Sequence, residues 1–330
     1  MAFLFIHKTI DLSIKIMINN NMSKPKILVI LGPTTTGKSD LAVKMAGKYN
    51  GEIISADSRQ VYKGLNIGTG KITKKEMLGV PHHIIDVVSP QKVFSVSEWQ
   101  KLAKKKIEEI ISRNRLPIIV GGTGFYIKSI VDDVLLPEVP PNIPLRKKLA
   151  KDRPSQLFEM LKRLDLRRAK NIEKENPVRL IRAIEIAKAL GEVPVLDNTR
   201  DKNSYEFLQI GLTLPEKELR KRIHDRLVRR LKKGMVEEVK NLHRKGLSWK
   251  RMDDLGLEYR YLAKYLKKFP RLSALNPQMS AMATELEVAI WHYTKRQMTW
   301  FKRDKRILWF SFNERKNIER KIKGYLAKIS

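Results

Sequence analysis

The chain has no cysteine, which excludes disulfides, thiolate nucleophiles and cysteine-ligated zinc and suits a reducing interior. It also lacks any apolar run approaching the roughly 18 residues that a membrane helix needs. Acidic residues are scarce: 35 Asp and Glu stand against 67 Lys and Arg, a formal charge of +32 on 330 residues. Such an excess points to a polyanionic partner, nucleic acid ahead of an anionic membrane surface. A Lys-rich composition with no partner is the alternative. The six histidines show no metal-ligand spacing, and His82 and His83, adjacent in an apolar segment, read as structural. No internal repeat or low-complexity tract is present.

At 42% hydrophobic the chain can bury a sizeable core, and its length exceeds that of one ordinary domain. Residues 1–24 form an extension whose apolar stretch is broken by His7, Lys8, Asp11 and Lys15. It is too short for a secretory signal and, with no arginine and one aspartate, a poor mitochondrial presequence; Met22 is a candidate start. The first part of a core follows in 25–136. The segments 26–31 (KILVIL), 51–56 (GEIISA), 82–88 (HHIIDVV) and 116–122 (LPIIVGG) are uninterrupted apolar runs of the kind that fill strands covered on both faces. Ser95 and Glu98 form a capping box ahead of a helix between the last two. Strands alternating with helices imply a parallel, doubly wound sheet. A mainly helical insertion is expected over 137–203, where prolines cluster. Residues 204–330 complete the core with a strand at 205–214 and then basic helices. The expected fold is thus an α/β P-loop-type parallel sheet with a helical insertion and a helical, basic C-terminal region.

Gly32-Pro33-Thr34-Thr35-Thr36-Gly37-Lys38-Ser39 fits G-x-x-x-x-G-K-[ST] between a strand and a helix. Loop amides and the helix N-terminus bind phosphate oxygens there, Lys38 adds a point charge, and the Ser39 hydroxyl is an oxygen ligand for Mg²⁺. A nucleotidase would carry an acid at the end of a neighbouring strand, whereas this chain has Gly121, Gly122, Thr123 and Gly124. Thr123 either donates to a phosphate oxygen or caps the next helix. Asp57 ends the second strand at the carboxyl edge of the sheet, where doubly wound folds place ligands. It is either functional or a cap, and the company of Arg59, Gln60 and Tyr62 favours a site that reads a flat, hydrogen-bonding ligand.

In 217–235, Leu219, Ile223, Leu227 and Leu231 make one apolar stripe and leave Arg222, Arg226 and Arg230 on an adjacent face. The alternative is a solvated basic face, the expected state of Arg229 and Arg230. The segment KRQMTWFKRDKR mixes Lys295, Arg296, Lys302 and Arg303 with Trp300 and Phe301, a combination of charge and stacking surface suited to RNA. Trp300 could equally be a core residue of its helix.

GPTTTGKS, ISADSRQVYKGLNIGTGK, PHHIIDV, VGGTGFY, NPVRLIRAIEI and KRQMTWFKR follow one another from about residue 25 to 303. In that order they resemble the tRNA dimethylallyltransferase family. The resemblance implies transfer of a dimethylallyl group from dimethylallyl diphosphate to N6 of the adenosine immediately 3′ of the anticodon in tRNA, with Mg²⁺, in a cytoplasmic monomer. It makes Asp57 the general base, Thr123 and Arg222 partners of the donor, and the 32–39 loop the cradle of a leaving group. It assigns tRNA contact to Asp57, Ser58, Arg59, Gln60, Arg179, Arg182, Tyr259, Arg260, Lys295, Arg296, Gln297 and Trp300. One departure stands out. The family commonly carries G-[IVC]-G-Y-[KR], whereas this chain has Gly256-Leu257-Glu258-Tyr259-Arg260, which puts a carboxylate where glycine allows close RNA approach. A P-loop kinase of a small metabolite and a non-catalytic RNA-binding protein are the competing readings.

Overall fold

A computed structural model describes residues 24–195, 204–270 and 277–327. The extension therefore lies almost wholly outside the described residues. The chain divides into two compact units, one made of 1–131 with 202–330 and the other of 132–201.

The first unit is built on a six-stranded, all-parallel sheet. Its strands are β1 (Lys26–Leu31), β2 (Gly51–Ala56), β3 (His82–His83), β4 (Leu116–Gly121), β5 (Glu206–Thr213) and β6 (Leu308–Ser311), in the spatial order β3-β2-β4-β1-β5-β6. Alternation along β1 explains its unbroken apolar sequence. Ile27, Val29 and Leu31 join a core with Trp99, Ile107 and the C-terminal helices. Leu28 and Ile30 face the other way, onto Leu41, Val43 and Met45 of helix α1 (Lys38–Lys48) and Ile318 and Ile322 of the last helix. Both faces are covered, as a parallel sheet requires.

Two expectations about strands need correction. The segment 82–88 joins the sheet only at His82 and His83, because Ile84 and Asp86 take positive φ (61° and 56°) and turn the chain away; Val88 then makes an isolated parallel bridge to Tyr62. Conversely, β6 adds a short parallel strand beside β5 in a region that reads as helical throughout. Its four residues follow a long helix and carry too little periodicity to show as a strand.

Helix α2 (Val96–Ser112) starts with the expected capping box: Glu98 N donates to Ser95 Oγ (3.2 Å) and Ser95 N to Glu98 Oε2 (2.7 Å). After β4 and α3 (Gly124–Val131) the second unit begins. It packs α4 (Ile143–Leu149), α5 (Pro154–Leu164), α6 (Leu166–Lys170) and α7 (Pro177–Leu190) around Leu149, Leu157, Leu161, Leu180 and Ile184. Asn142, Asp165 and Asn176 cap three of these helices with their side chains. The first unit resumes with β5, α8 (Glu216–Lys232), α9 (Met235–Arg244), α10 (Trp249–Leu255), α11 (Leu257–Lys268) and α12 (Pro277–Phe301), then β6 and α13 (Arg315–Ala327). Among the described residues no helix is long and apolar enough to cross a membrane.

Candidate active site

The Gly32–Ser39 loop leaves β1 through residues that need left-handed backbone: Thr35 has φ 67° and Gly37 φ 84°. A Cβ at Gly37 would lie 2.3 Å from Phe312 Cε2, so only glycine fits on both counts. Thr36 is buried and donates to Pro33 O (3.0 Å), tightening the turn from inside. Lys38 Nζ also donates to Pro33 O, folding the ammonium back over the loop. Burial first, and then the Arg226 guanidinium, push the Lys38 pKa down to about 7 against the opposing pull of Asp57. An anion bound here would restore the proton.

The second wall comes from the end of β2. Asp57 Oδ1 accepts from the main-chain N–H of Arg59 (2.8 Å) and Gln60 (3.3 Å). One carboxylate oxygen thus shapes a turn while the residue lines the same cleft as Lys38. Thr123 Oγ1 accepts from Ser58 N (3.1 Å), and Thr123 O accepts from Tyr126 N and Ile127 N. Thr123 therefore supports the Asp57 turn and opens α3, and it is not among the residues lining the cleft.

The glycines after β4 have a packing cause. A Cβ on Gly121 would meet Ala56 O at 2.1 Å, on Gly122 the Gln297 Nε2 at 2.4 Å, and on Gly124 the Trp300 Cδ1 at 2.1 Å. Glycine is needed there by β2 and α12. Gly121 and Gly122 also line the cleft. Gln297 fills the gap: its Nε2 donates to Gly122 O (2.9 Å) and its Oε1 accepts from Thr34 N (3.1 Å). This buried amide clamps the Gly32–Ser39 loop to the β4 loop while the residue also lines the cleft. Trp300 packs edge-to-face on Phe125 (6.3 Å, 79°) and against the main core, the alternative of the two readings of this residue.

The arginine row on α8 is not uniform. Arg222 pairs with Glu218 (2.6 Å), and its guanidinium lies 4.8 Å from the Phe312 ring. Arg226, one turn on, lines the cleft and has no acidic ion-pair partner among the described residues. Burial, with Arg230 next, lowers its pKa to about 9, opposed by Glu258 and Asp57. Arg230 corrects the expectation of a solvated side chain. It is buried, donating from Nη1 to Glu258 Oε1 (2.9 Å) and Gly68 O (3.0 Å). Glu258 is thereby explained: its carboxylate neutralises a buried guanidinium.

Tyr259 is likewise a core residue. It is buried, its hydroxyl donates to Glu238 Oε1 (2.8 Å), and Glu238 also accepts from the N–H groups of Asn66, Ile67 and Gly68. Tyr62, expected beside the ligand, is also buried, with its hydroxyl accepting from Phe94 N and Arg251 Nη2. Tyr259 and Gln297 nevertheless line the cleft, as do Ser58, Arg59, Gln60, Arg260 and Arg296, with Arg260 held by Asp253 (3.0 Å). Lys295 is exposed, 5.7 Å from the Trp291 ring. Arg179 and Arg182 belong to the other unit, where Arg179 pairs with Glu173 (2.8 Å) and Arg182 with Glu185.

The cleft encloses about 690 Å³. The sequence reading put Arg222 of the arginine row, rather than Arg226, at the donor, and it did not single out two further contributors to the cleft: Tyr293, whose phenol is pushed up to about 12 chiefly by burial, and the Gly68–Gly70 turn. For metal, Ser39 is exposed on the cleft wall, and no group of three or more His, Asp or Glu able to hold an ion exists among the described residues.

A family model described as IPP transferase matches residues 60–304. The chain belongs to that family. A tRNA dimethylallyltransferase of Anoxybacillus flavithermus is 37% identical over 307 residues, covering 92% of this chain and 96% of the relative. A tRNA dimethylallyltransferase 2 of Citrifermentans bemidjiense is 42% identical over 279 residues, covering 84% and 87%. Among solved structures, the full-length tRNA isopentenylpyrophosphate transferase of Bacillus halodurans superposes with a TM-score of 0.67 at 33% identity, over 91% of this chain and 96% of that one. A eukaryotic dimethylallyltransferase acting on tRNA shares the fold, with a TM-score of 0.71 at 22% identity over 87% and 74%. Family membership agrees with the resemblance read from the motifs.

Proposed function

We propose that this chain transfers a dimethylallyl group from dimethylallyl diphosphate to N6 of the adenosine immediately 3′ of the anticodon in tRNA, releasing diphosphate. The carrying observation is a single cleft lined by Lys38 at the start of α1, Asp57 just after β2 and Arg226, which has no acidic ion-pair partner among the described residues. Relatives named tRNA dimethylallyltransferase at 37–42% identity support it.

In this reading the loop amides, Lys38 and Arg226 hold the donor's diphosphate. The allylic C–O bond breaks with its electron pair retained by the diphosphate oxygen, whose growing charge those groups neutralise. The N6 lone pair forms the new C–N bond, and the amine proton passes to Asp57 Oδ2, the oxygen not used by the turn. The adenine must leave its stack to reach Asp57. Arg59, Arg260 and Arg296 along the cleft attract the RNA backbone. Ser39, exposed on the cleft wall beside Lys38, would hold Mg²⁺ through its hydroxyl; the described residues offer no acid cluster, which fits an ion that takes few protein ligands. When bound, it adds charge neutralisation at the diphosphate. We place this activity in the cytoplasm and in a monomer, the latter testable by light scattering.

The test combines purified protein, unmodified tRNA, Mg²⁺ and labelled dimethylallyl diphosphate without ATP. Label in the tRNA at a single adenosine is the expected result. A requirement for ATP would favour a kinase, and tight tRNA binding with no transfer would favour a non-catalytic RNA binder.

A further inference from the structure

A smaller cavity of about 290 Å³ lies against the phosphate loop, where Arg222, Arg226, Arg229 and Phe312 meet Thr35 and Gly37. Three guanidiniums converge there, with Asp40 the single carboxylate of the lining. Phe312 is the one aromatic ring among them, and it comes from a part of the chain beyond the residues matched by the family model. It follows β6 directly, in a turn closed by Ser311 N donating to Glu314 Oε2 (2.7 Å) and Glu314 N to Ser311 O (3.0 Å). Parallel pairing of β6 with β5 fixes where that turn stands.

The ring makes two kinds of contact. Its edge abuts the main chain of Gly37, the left-handed residue from which α1 starts. Its π system meets the guanidiniums of Arg222 (4.8 Å) and Arg315 (4.5 Å). Cations gathered on one ring beside a phosphate-type loop repel one another until an anion arrives. The ring therefore keeps Arg222 near the loop at a charge-rich place it would otherwise leave.

We infer that Phe312 is a positioning residue for the donor's diphosphate, acting through Gly37 and Arg222. This rests on the reading of the loop as the diphosphate cradle. Removing the ring opens space behind Gly37 and frees Arg222 to swing out with Glu218, loosening the cradle before the donor binds. Asp57 and the RNA-facing arginines are untouched. The effect falls on donor affinity and spares both the chemical step and tRNA binding.

Four full-length variants test this: Phe312→Ala, Phe312→Leu, Phe312→Tyr and Lys38→Ala. Each is assayed for Mg²⁺-diphosphate binding by calorimetry and for donor KM, tRNA KM and kcat. Phe312→Ala is expected to weaken diphosphate binding and raise donor KM by about tenfold while kcat and tRNA KM stay within about threefold. Tyr should restore donor KM, because the ring and its π face remain, and Leu should not. An unchanged donor KM in Phe312→Ala, an equal change in every parameter, or full rescue by Leu would overturn the inference. Lys38→Ala separates the two levels. If it loses diphosphate binding while Phe312→Ala does not, only the role of Phe312 fails; if it binds diphosphate normally, the loop reading fails and this inference with it.

Discussion

The two compact units each gather arginines around carboxylates, but to opposite ends. In the helical unit, Glu185 is buried and accepts from Arg146 Nε (2.9 Å) and Nη2 (2.7 Å), from Arg182 and from Asn142 N (2.5 Å). Burial pushes its carboxyl up, yet the hydrogen bonds from Arg146, Arg182 and Asn142 outweigh that and hold it at about 2. Arg182 spends a further N–H on Val139 O (2.9 Å), so little of this cluster is left to act on anything else. In the sheet unit, Lys38 and Arg226 are pushed down to about 7 and 9 by burial and by neighbouring cations. A closed cluster spends its charge on folding, and an open one keeps a field for a ligand. Helix α8 shows both behaviours: Glu258 closes Arg230, one turn beyond the open Arg226.

That contrast breaks first at Asp57. Asp57→Asn keeps an Oδ1 acceptor for the turn but removes the base. It should fold as wild type and bind tRNA within a few-fold while transfer falls by roughly 10²–10⁴. Single-turnover transfer at saturating donor and tRNA, on protein shown by circular dichroism to be folded, measures it; a rate within tenfold of wild type removes Asp57 from the mechanism. Lys38→Ala comes next, with a loss of about 2–4 kcal/mol in transition-state stabilisation and donor binding. Normal donor affinity in that variant would refute the cradle.

On the closed side, Glu185→Ala should cost about 2–3 kcal/mol of stability, since it leaves two half-exposed guanidiniums unpaired and a gap in the core. Transfer chemistry at the sheet should be unaffected, and urea denaturation reads the difference. The pH dependence has a defined sign. Glu185 has a folded pKa below its ordinary 4.5, so its contribution is complete above about 4.5 and disappears as pH falls toward about 2. Glu185→Gln should flatten wild-type stability loss in that window, and an unchanged slope would contradict the assignment. The smallest effect concerns protons. At pH 8 Lys38, with a pKa near 7, is largely neutral, and diphosphate should recharge it. Binding heats in buffers of different ionisation enthalpy should then reveal uptake of up to about one proton, lost in Lys38→Met. Equal heats in all buffers would place the Lys38 pKa elsewhere.

Much of the sheet was legible because its strands are continuous apolar runs and its phosphate loop is a local pattern of small residues, lysine and hydroxyl. The Ser95–Glu98 box and the stripe of Leu219, Ile223 and Leu227 were equally local. The site was legible where its residues sit beside strand ends, as Lys38 in the loop-to-helix junction after β1 and Asp57 after β2 do, and in Arg260 and Arg296 from α11 and α12. Residues on helices were harder to place, since Arg222, Arg226 and Arg230 look alike in sequence and differ only in what packs around them.

The sequence by itself determined the parallel α/β core, the loop, the acid after β2 and the family. These depend on contacts within a few residues, or on a series of motifs long enough to be specific. Tertiary structure decided what the rest do. Gln297 and Trp300 fit against Gly122 and Gly124 across more than 170 positions of chain, Tyr259 spends its hydroxyl on Glu238, Glu258 closes Arg230, and Phe312 reaches Gly37 from the far end of the sequence. A polar or aromatic side chain carries no mark of whether it will meet solvent, RNA or a buried partner. That depends on which atoms the fold brings within hydrogen-bond distance, and on whether water is excluded when they meet.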